Sequence, residues 1–342
     1  MRLKYKEIAK ELGISPATVS LAINNRPGVN EQTKKKVLDY INEKDHQLLV
    51  DTDKVIEPKG TVMIVSYIKS GSIMNRSDHP ALKKIEDMLI EKGYGYSYQV
   101  FHEEKDDLKN LIDYIRSIDV KGIYLMAAEM QESDIYPFLE LSIPLVSGDR
   151  LFYGGNIDGF LIDNQEGIRK AVGYLIDKGH HHIIYLAENI DIYNFNERRE
   201  AFMKEMFLRG YGDSKNRIHY LGSNLDDVYH SMKQYLNKNV RATAMILESS
   251  VVSLGVSKAL LEKNIRIPRD ISLIGFDVLP PESLLGIEVT VIKGTHTKRH
   301  LEAVKHLVRK IEDENEETIC IYYRPALIEG NSVFDKKKYI YN

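Results

Sequence analysis

The 342-residue sequence has no tryptophan, a single cysteine, and no apolar run near the roughly 18 residues that a membrane-spanning helix needs. One cysteine excludes a framework of intramolecular disulfides. Met1 is not followed by the charged and then apolar segment of a secretory signal. We therefore expect a cytoplasmic protein with no membrane association. Cys320, in the apolar run TICIYY, is expected to be a buried strand residue rather than a reactive thiol.

Sequence motifs for common catalytic and metal chemistry are also missing. The chain contains no HExxH, no GxSxG and no GxxxxGK[ST]. The run His180, His181 and His182 is the one hint of a metal site. Neighbouring residues on a strand point in alternate directions, which favours a structural role for these histidines. The sequence therefore predicts no enzyme, no catalytic residues, no metal site and no cofactor.

The net charge of −3 is too small to indicate general affinity for nucleic acid, but the charge is unevenly distributed. Residues 1–45 contain nine basic and six acidic residues, a net charge of +3, so the rest of the chain carries −6. Phosphate backbones attract lysine and arginine. The basic N-terminal end is therefore the expected nucleic-acid interface, with a solvated helix face as the alternative role for lysines such as Lys4 and Lys34.

Residues 4–25 predict a helix, a tight turn and a second helix. Apolar positions recur at helical spacing in the first helix, and Gly13 follows as its C-terminal stop. Ser15 can cap the second helix and Pro16 can open it, because the missing N–H of proline costs nothing there. A third helix is expected from the cap Asn30 to about Glu43. The side chains expected to pack between the first two helices are Ile8, Ala9, Leu12, Ile14, Val19, Ala22 and Ile23.

The run GISPATVSLAINNRPGVNEQTKKKVLDYI, residues 13–41, resembles the headpiece of the LacI/GalR family of bacterial transcription regulators. The resemblance implies a homodimeric repressor whose two headpieces read the half-sites of a palindromic double-stranded operator, with the second helix in the major groove. The DNA contacts that it implies are Lys4, Tyr5, Ser15, Pro16, Ala17, Thr18, Ser20, Leu21, Asn24, Asn25 and Val29.

Residues 46–59 stand where the family usually has a hinge of the form Y-x-P-N-x-x-A-x-x-L. In the family this hinge folds on DNA and wedges a leucine into the minor groove. Here the Pro-Asn pair is missing, Asp51 and Asp53 bring negative charge near phosphates, and Leu49 and Val55 are the nearest wedges. A DNA-contacting hinge and a plain flexible linker both remain open.

From residue 60 onward, apolar strands alternate with helices, which predicts a doubly wound parallel sheet. Two of the helices are expected to begin at Gly167 and Asn196. Residues 162–186 and 254–277 resemble the two-lobed effector domain of the same family, a fold shared with periplasmic sugar-binding proteins. The predicted fold class is thus an all-α helix-turn-helix headpiece followed by a two-lobed α/β domain of the periplasmic-binding-protein type.

The predicted domains follow from this fold. The headpiece is residues 1–45, the linker 46–59, the effector-binding and dimerisation domain 60–330, and the tail 331–342. The Tyr-rich end of the tail, KKKYIYN at residues 336–342, is expected to be a solvated end or a cover on a strand. The family's chain crosses between its lobes three times. The N-lobe is therefore expected to comprise about residues 60–161 plus 293–320, and the C-lobe about 162–292 plus 321–330.

The resemblance also implies effector contacts at strand ends. Arg198, in the motif R-x-x-A-F, and Asp277, in G-F-D, match the pocket of the family, although they could instead pair with each other or with a helix end. Asp149 of the D-R pair is expected to contact ligand or to form a structural salt bridge, and Asp163 to lie near the pocket or to order a lobe crossover. The implied effector residues are Arg198, Asp277, Asp149, Ser249, Asn75 and Asp163.

Three departures from the family pattern affect the ligand, and one is Val278 after Asp277, where a second acid or Asn is common. Ser249 and Ser250 replace a usual Asn-Asp pair, and residues 75–79 (NRSDH) replace a segment with stacking aromatic residues. The effector is therefore expected to be a differently shaped sugar, a sugar phosphate or another charged metabolite, or to be absent. A solute-binding protein is an alternative function, but it has no use for residues 4–43. An enzyme on this fold is disfavoured because no nucleophile, base and orienting group appear together.

The operator preference should differ from the commonest one in the family. Many members carry an arginine where this chain has Leu21, and arginine reads guanine edges whereas leucine offers only an apolar contact, for instance to a thymine methyl. We expect Leu21→Arg to change the preferred base pair in each half-site. Selection of random duplex DNA on the wild type and the variant measures this, and an identical consensus would contradict it.

Overall fold

The computed structural model describes residues 5–15, 18–19, 22, 29–30, 32–37, 40, 59–69, 80–212, 214–238, 241–277, 286–313 and 317–339. The chain divides into two compact units, residues 1–57 and 58–342. Of the predicted linker only its last residue, Lys59, is among the described residues. None of the helices that are described has the length and apolar character needed to cross a membrane.

The first unit contains the predicted helix α1, Tyr5–Leu12. Gly13 follows it with φ of +66°, a left-handed conformation that suits glycine at a helix end. The Ser15 hydroxyl accepts a hydrogen bond from the Thr18 amide at 3.0 Å, and Asn30 Oδ1 accepts one from the Thr33 amide at 2.7 Å, so both predicted helix caps are confirmed. The buried apolar residues that form the small core are Ile8, Ala9, Val19, Ala22 and Val37.

The second unit alternates strands and helices. Its strands are β1 (Thr61–Ile68), β2 (Gly95–His102), β3 (Val120–Met126), β4 (Leu145–Gly148), β5 (Asp158–Ile162), β6 (Ile183–Ala187), β7 (Ile218–Tyr220), β8 (Ala244–Leu247), β9 (Ser272–Phe276), β10 (Thr290–Lys293), β11 (Cys320–Tyr323) and β12 (Ala326–Ile328). Its α-helices are α2 (Pro80–Glu91), α3 (Leu108–Ser117), α4 (Tyr136–Leu139), α5 (Asn164–Asp177), α6 (Tyr193–Leu208), α7 (Leu225–Leu236), α8 (Ser250–Glu262) and α9 (His296–Glu312).

The described strands form two six-stranded sheets, one for each lobe. Their orders are β11-β5-β4-β3-β1-β2 and β12-β10-β9-β8-β6-β7. All neighbouring pairs are parallel except β10 and β12, which are antiparallel. Strands such as β5 and β9 are fully buried, which explains why their sequences are nearly continuous apolar runs. The predicted two-lobed, doubly wound fold is confirmed.

The chain passes between the two sheets after β5, after β10 and after β11. Strand β11 pairs in parallel with β5, with Cys320 opposite Gly159, so residues 321–323 belong to the first sheet and not to the second lobe as predicted. Because β11 is an outer strand of its sheet, one of its edges is unpaired among the described strands, and Cys320, Ile321 and Tyr322 are all exposed. The expectation that Cys320 is buried is therefore wrong.

Two helices begin one turn earlier than predicted. Helix α5 begins at Asn164 because the carboxylate of Asp163 accepts a hydrogen bond from the Glu166 amide at 2.9 Å and so caps the first turn. Helix α6 begins at Tyr193, because the backbone carbonyl of Ile192 accepts hydrogen bonds from the amides of Phe195 and Asn196, each at 3.0 Å. These earlier starts place Asn164 and Tyr193 on ordered helices.

The C-terminal tail covers the second lobe. The His180 ring is 2% exposed, with Nε2 2.9 Å from the carbonyl oxygen of Phe334 and Nδ1 3.0 Å from the Thr243 hydroxyl. A neutral imidazole satisfies both contacts, donating from Nε2 and accepting at Nδ1. Ser332 adds a hydrogen bond to the carbonyl of Leu273 at 2.7 Å. Residues 332–334 of the tail therefore cover strand β9 and its neighbours, whereas Lys337 and Lys338 are exposed.

We predict that His180 weakens the fold in acid. Burial, the largest cause, lowers its pKa from the ordinary value of 6.5, so the unfolded chain binds this proton more readily than the folded one. The stability that depends on neutral His180 is complete above pH 6.5 and falls as the pH drops below that value. Urea unfolding of His180→Gln should show a flatter acid limb than wild type. His230→Gln, at an exposed position, is the control and should keep the wild-type slope.

Candidate functional site

Acidic side chains follow three neighbouring strands of the second sheet. Glu188 comes directly after β6, Glu248 after β8 and Asp277 after β9. In open parallel sheets of this kind, ligands bind outside the carboxyl ends of the strands. Helix α6 brings two adjacent arginines, Arg198 and Arg199, to the same edge, and both are buried.

A buried ion pair joins Arg199 to Glu248. The two carboxylate oxygens of Glu248 each accept a hydrogen bond from the guanidinium at 2.7 Å, and the Glu248 side chain is fully buried. The Glu188 amide donates to Glu248 at 2.8 Å, and its carbonyl accepts from Arg199 Nη2 at 2.7 Å. Burial raises the pKa of Glu248, while the Arg199 guanidinium acts in the opposite direction. This pair ties the ends of β6 and β8 to helix α6.

Arg198 is held beside this ion pair by neutral acceptors. Its Nε donates to Asn164 Oδ1 and its Nη1 to the carbonyl of Glu248, both at 2.8 Å. Its guanidinium carbon lies 4.1 Å from the centre of the Phe276 ring, a cation–π contact that fixes the plane of the group. Among the described residues no hydrogen bond involves Arg198 Nη2. Arg198 is therefore oriented with donor capacity to spare.

Asn164 extends the network to helix α6. Its Nδ2 donates to Asn194 Oδ1 and to Glu197 Oε2, each at 2.8 Å. Glu197 Oε1 accepts a further hydrogen bond from the Tyr193 hydroxyl at 3.3 Å. Asn164 thus links the predicted arginine, Arg198, to a carboxylate that the sequence analysis did not single out.

Asp277 lies at the second crossing between the lobes. Its backbone has φ of +62°, and its carboxylate accepts a hydrogen bond from His296 Nε2 at 2.8 Å. Burial favours the neutral acid, but the donation by His296 and the nearby charge of Arg198 outweigh it and lower the pKa of Asp277. Asp277 pairs with a helix end rather than with Arg198. Its side chain remains 44% exposed and so is open to a ligand.

Three other residues predicted to contact an effector have structural partners. Asp149 accepts a hydrogen bond from Arg299 Nη2 at 2.6 Å, and Arg299 is fully buried, so the structure contains the salt-bridge alternative. Asp163 caps helix α5. Ser249 caps helix α8 by accepting from the Val252 amide at 3.2 Å, and its hydroxyl donates to Glu188. Asn75, with the rest of residues 75–79, lies outside the described residues.

The predicted DNA contacts are described only in part. The Ser15 and Thr18 hydroxyls lie 2.8 Å apart and bond to each other. Val29 is partly buried and packs against the headpiece core. Tyr5 begins α1, but its side chain is not described. The others lie outside the described residues: Lys4, Pro16, Ala17, Ser20, Leu21, Asn24 and Asn25.

Comparison with protein families supports both halves of this architecture. Residues 4–47 match the family described as bacterial regulatory proteins, lacI family. Residues 172–333 match the periplasmic binding protein-like domain. The chain belongs to the LacI family. A LacI-family protein is a DNA-binding transcription regulator, so the solute-binding alternative, which had no use for residues 4–43, is set aside.

Individual relatives agree with this assignment. The chain is 28% identical to the HTH-type transcriptional repressor PurR of Glaesserella parasuis serovar 5, across 96% of this chain and 97% of the relative. A transcriptional regulator CelR–cellobiose complex has the same fold, with a TM-score of 0.67, 19% identity and coverage of 97% and 100%. The lac repressor dimer bound to operator and the anti-inducer ONPF matches with a TM-score of 0.64, 19% identity and coverage of 96% and 98%.

Several members of the network in this LacI-family chain were not predicted from its sequence. The residues that were not named as site residues are Arg199, Glu188, Glu197, Asn194 and Glu248. A signal was available for two of them, because Glu188 and Glu248 are acids placed directly after apolar strands. Asn194 lies in the first turn of helix α6, before the start that the sequence indicated.

We predict that Arg199→Met unfolds at a much lower denaturant concentration than wild type. Removing one partner of a buried ion pair leaves the other charge buried, at a cost of about 3–5 kcal/mol. Arg169→Met is the matched control, because Arg169 forms an exposed ion pair with Glu166 on helix α5, so its replacement should cost far less stability. Urea unfolding measures both. Equal losses would show that the Arg199–Glu248 pair contributes no more than a surface pair.

Proposed function

We propose that this LacI-family protein is a cytoplasmic, homodimeric repressor that binds palindromic operator DNA and is controlled by a small polar effector of the sugar class. The observation that carries the effector part is Arg198, a buried arginine that is oriented by Asn164 and Phe276 and retains an unused donor. The name of its PurR relative supports repression. The cellobiose complex supports a sugar-class ligand, and the lac repressor dimer on operator supports the assembly.

The proposed effector contacts are Arg198 and Asp277. Arg198 Nη2 donates to an oxygen of the ligand, and the partly exposed carboxylate of Asp277 accepts from a hydroxyl group. Asp149, Ser249 and Asp163 position the surrounding elements through the contacts described above. No catalytic step is part of this proposal, since ligand binding alone can change the populations of two lobe arrangements.

The proposed mechanism couples the effector to the lobe crossings. His296 begins helix α9, which packs on the first sheet, whereas Asp277 ends a strand of the second. A ligand that binds Asp277 therefore acts directly on a contact between the lobes. If the separation of the two headpieces differs between lobe arrangements, operator affinity changes with ligand occupancy.

The first test is a selection of random duplex DNA on the purified full-length protein, with and without a pool of sugars. We expect a palindromic consensus whose half-sites lie about one to two helical turns apart. Occupancy of that site should change when the pool is present. Absence of any enriched sequence would contradict the repressor proposal.

We predict that Arg198→Met abolishes the response to the sugar pool while leaving operator affinity in the absence of ligand unchanged. The change removes the donor that the ligand needs and does not touch the headpiece. Fluorescence anisotropy on the selected operator measures both quantities. Arg169→Met, on the exposed side of helix α5, should keep the response. A full response in Arg198→Met would place the effector elsewhere.

A further inference from the structure

The charges at the carboxyl edge of the second sheet do not balance. Four carboxylates gather there, those of Glu188, Glu197, Glu248 and Asp277. Glu248 forms an ion pair with Arg199, and Asp277 accepts a hydrogen bond from His296, through the contacts already described. The other two, Glu188 and Glu197, are called here the unmatched glutamates.

Neutral groups alone supply the hydrogen bonds of the unmatched glutamates. The Glu188 carboxylate accepts from the Ser249 hydroxyl. The Glu197 carboxylate accepts from the Asn164 amide at 2.8 Å and from the Tyr193 hydroxyl at 3.3 Å. Glu188 is only 4% exposed, and Glu197 is partly buried. In the described part of the chain, neither carboxylate forms an ion pair.

The neighbouring arginines are already engaged elsewhere. Arg199 is paired with Glu248. Arg150 lies over the Tyr193 ring, with 5.3 Å from its guanidinium carbon to the ring centre, but its ion pair is with Glu132 at 3.5 Å. Arg198 is thus the one cation at this edge, within the described residues, that faces the unmatched glutamates without a carboxylate partner of its own.

A buried carboxylate without a cation is unfavourable, so it either takes up a proton or is matched by a positive charge. Burial is the largest cause of a raised pKa at both Glu188 and Glu197. An anionic ligand would add a further negative charge to this edge. A ligand that brings one positive charge would offset the excess negative charge at this edge.

We propose that the unmatched glutamates make this site selective for an effector that carries a protonated amino group beside its hydroxyl groups. Glu197, the more exposed of the two, binds the amino group, and Glu188 adds to the negative potential. Arg198 Nη2 donates to a hydroxyl oxygen of the same ligand. This inference rests on the proposed effector site and disfavours a sugar phosphate or a sugar acid as the effector.

The test compares probes that differ in charge. Glucosamine, galactosamine and mannosamine are each titrated by calorimetry beside the matching neutral hexose and uronic acid, slightly below neutral pH so that the amine is protonated. We expect at least one amino sugar to bind about tenfold more tightly than its neutral hexose, since hydrogen bonds to charged groups are stronger than neutral ones. The uronic acids should not bind measurably.

Glu197→Gln is the decisive variant, because glutamine keeps the shape and an acceptor oxygen but removes the charge. It should bring the affinity ratio of amino sugar to neutral hexose to about one. Glu188→Gln should reduce this affinity ratio less than Glu197→Gln does. Glu200→Gln removes a charge from an exposed position of the same helix and should leave the ratio at its wild-type value.

Three results would each overturn the proposal. The first is that a uronic acid or a neutral hexose binds as tightly as every amino sugar, and the second is that no amino sugar binds. The third is that Glu197→Gln keeps the wild-type affinity ratio of amino sugar to neutral hexose. Operator selection on the same preparation separates these failures from failure of the repressor proposal. A palindromic consensus without amine selectivity would remove only the present inference. Lack of a consensus would remove the repressor proposal, whichever probe binds.

Discussion

The buried pair of Arg199 and Glu248 is the interaction on which the site depends. It joins helix α6 to the ends of two strands, through both carboxylate oxygens of Glu248 and through the backbone of Glu188. The free-energy cost of desolvating two charges is offset only when the geometry of the pair is good and the remaining donors and acceptors form hydrogen bonds, as they do here. Because Arg198 is the next residue on the helix, the pair also fixes where that arginine lies.

Much of the fold follows from local patterns. Buried parallel strands need apolar side chains on both faces, so β1, β6 and β9 are visible as apolar runs, and capping residues such as Ser15 and Asn30 mark where helices begin. Sheet position is different, because it is set by pairing between distant segments. The exposure of Cys320 follows from β11 being an outer strand, and nothing in the run TICIYY encodes that.

The candidate site also combines features that local sequence motifs predict with features that depend on contacts between distant residues. Motif resemblance located Arg198 and Asp277, which the structure brings to one edge of the second sheet. Motifs did not reveal which acids are already matched, because the partners lie far away in sequence. Asp149 pairs with Arg299, 150 residues away, and Glu248 with Arg199, 49 residues away. Charge matching is a property of the folded chain, so ligand preference could not be inferred from the number of acids in the sequence.

Two polar contacts between the lobes lie close to the site within the described residues. Asp277 binds His296 at one crossing, and Arg150 of the first lobe stacks on Tyr193, whose hydroxyl donates to Glu197. Hydrogen bonds and stacking contacts of this kind depend on distance and angle, so two lobe arrangements cannot satisfy them equally. A ligand that engages Asp277 or Glu197 shares its binding group with a contact that holds the lobes. Effector binding and lobe arrangement are then linked by thermodynamic necessity, without a separate relay between them.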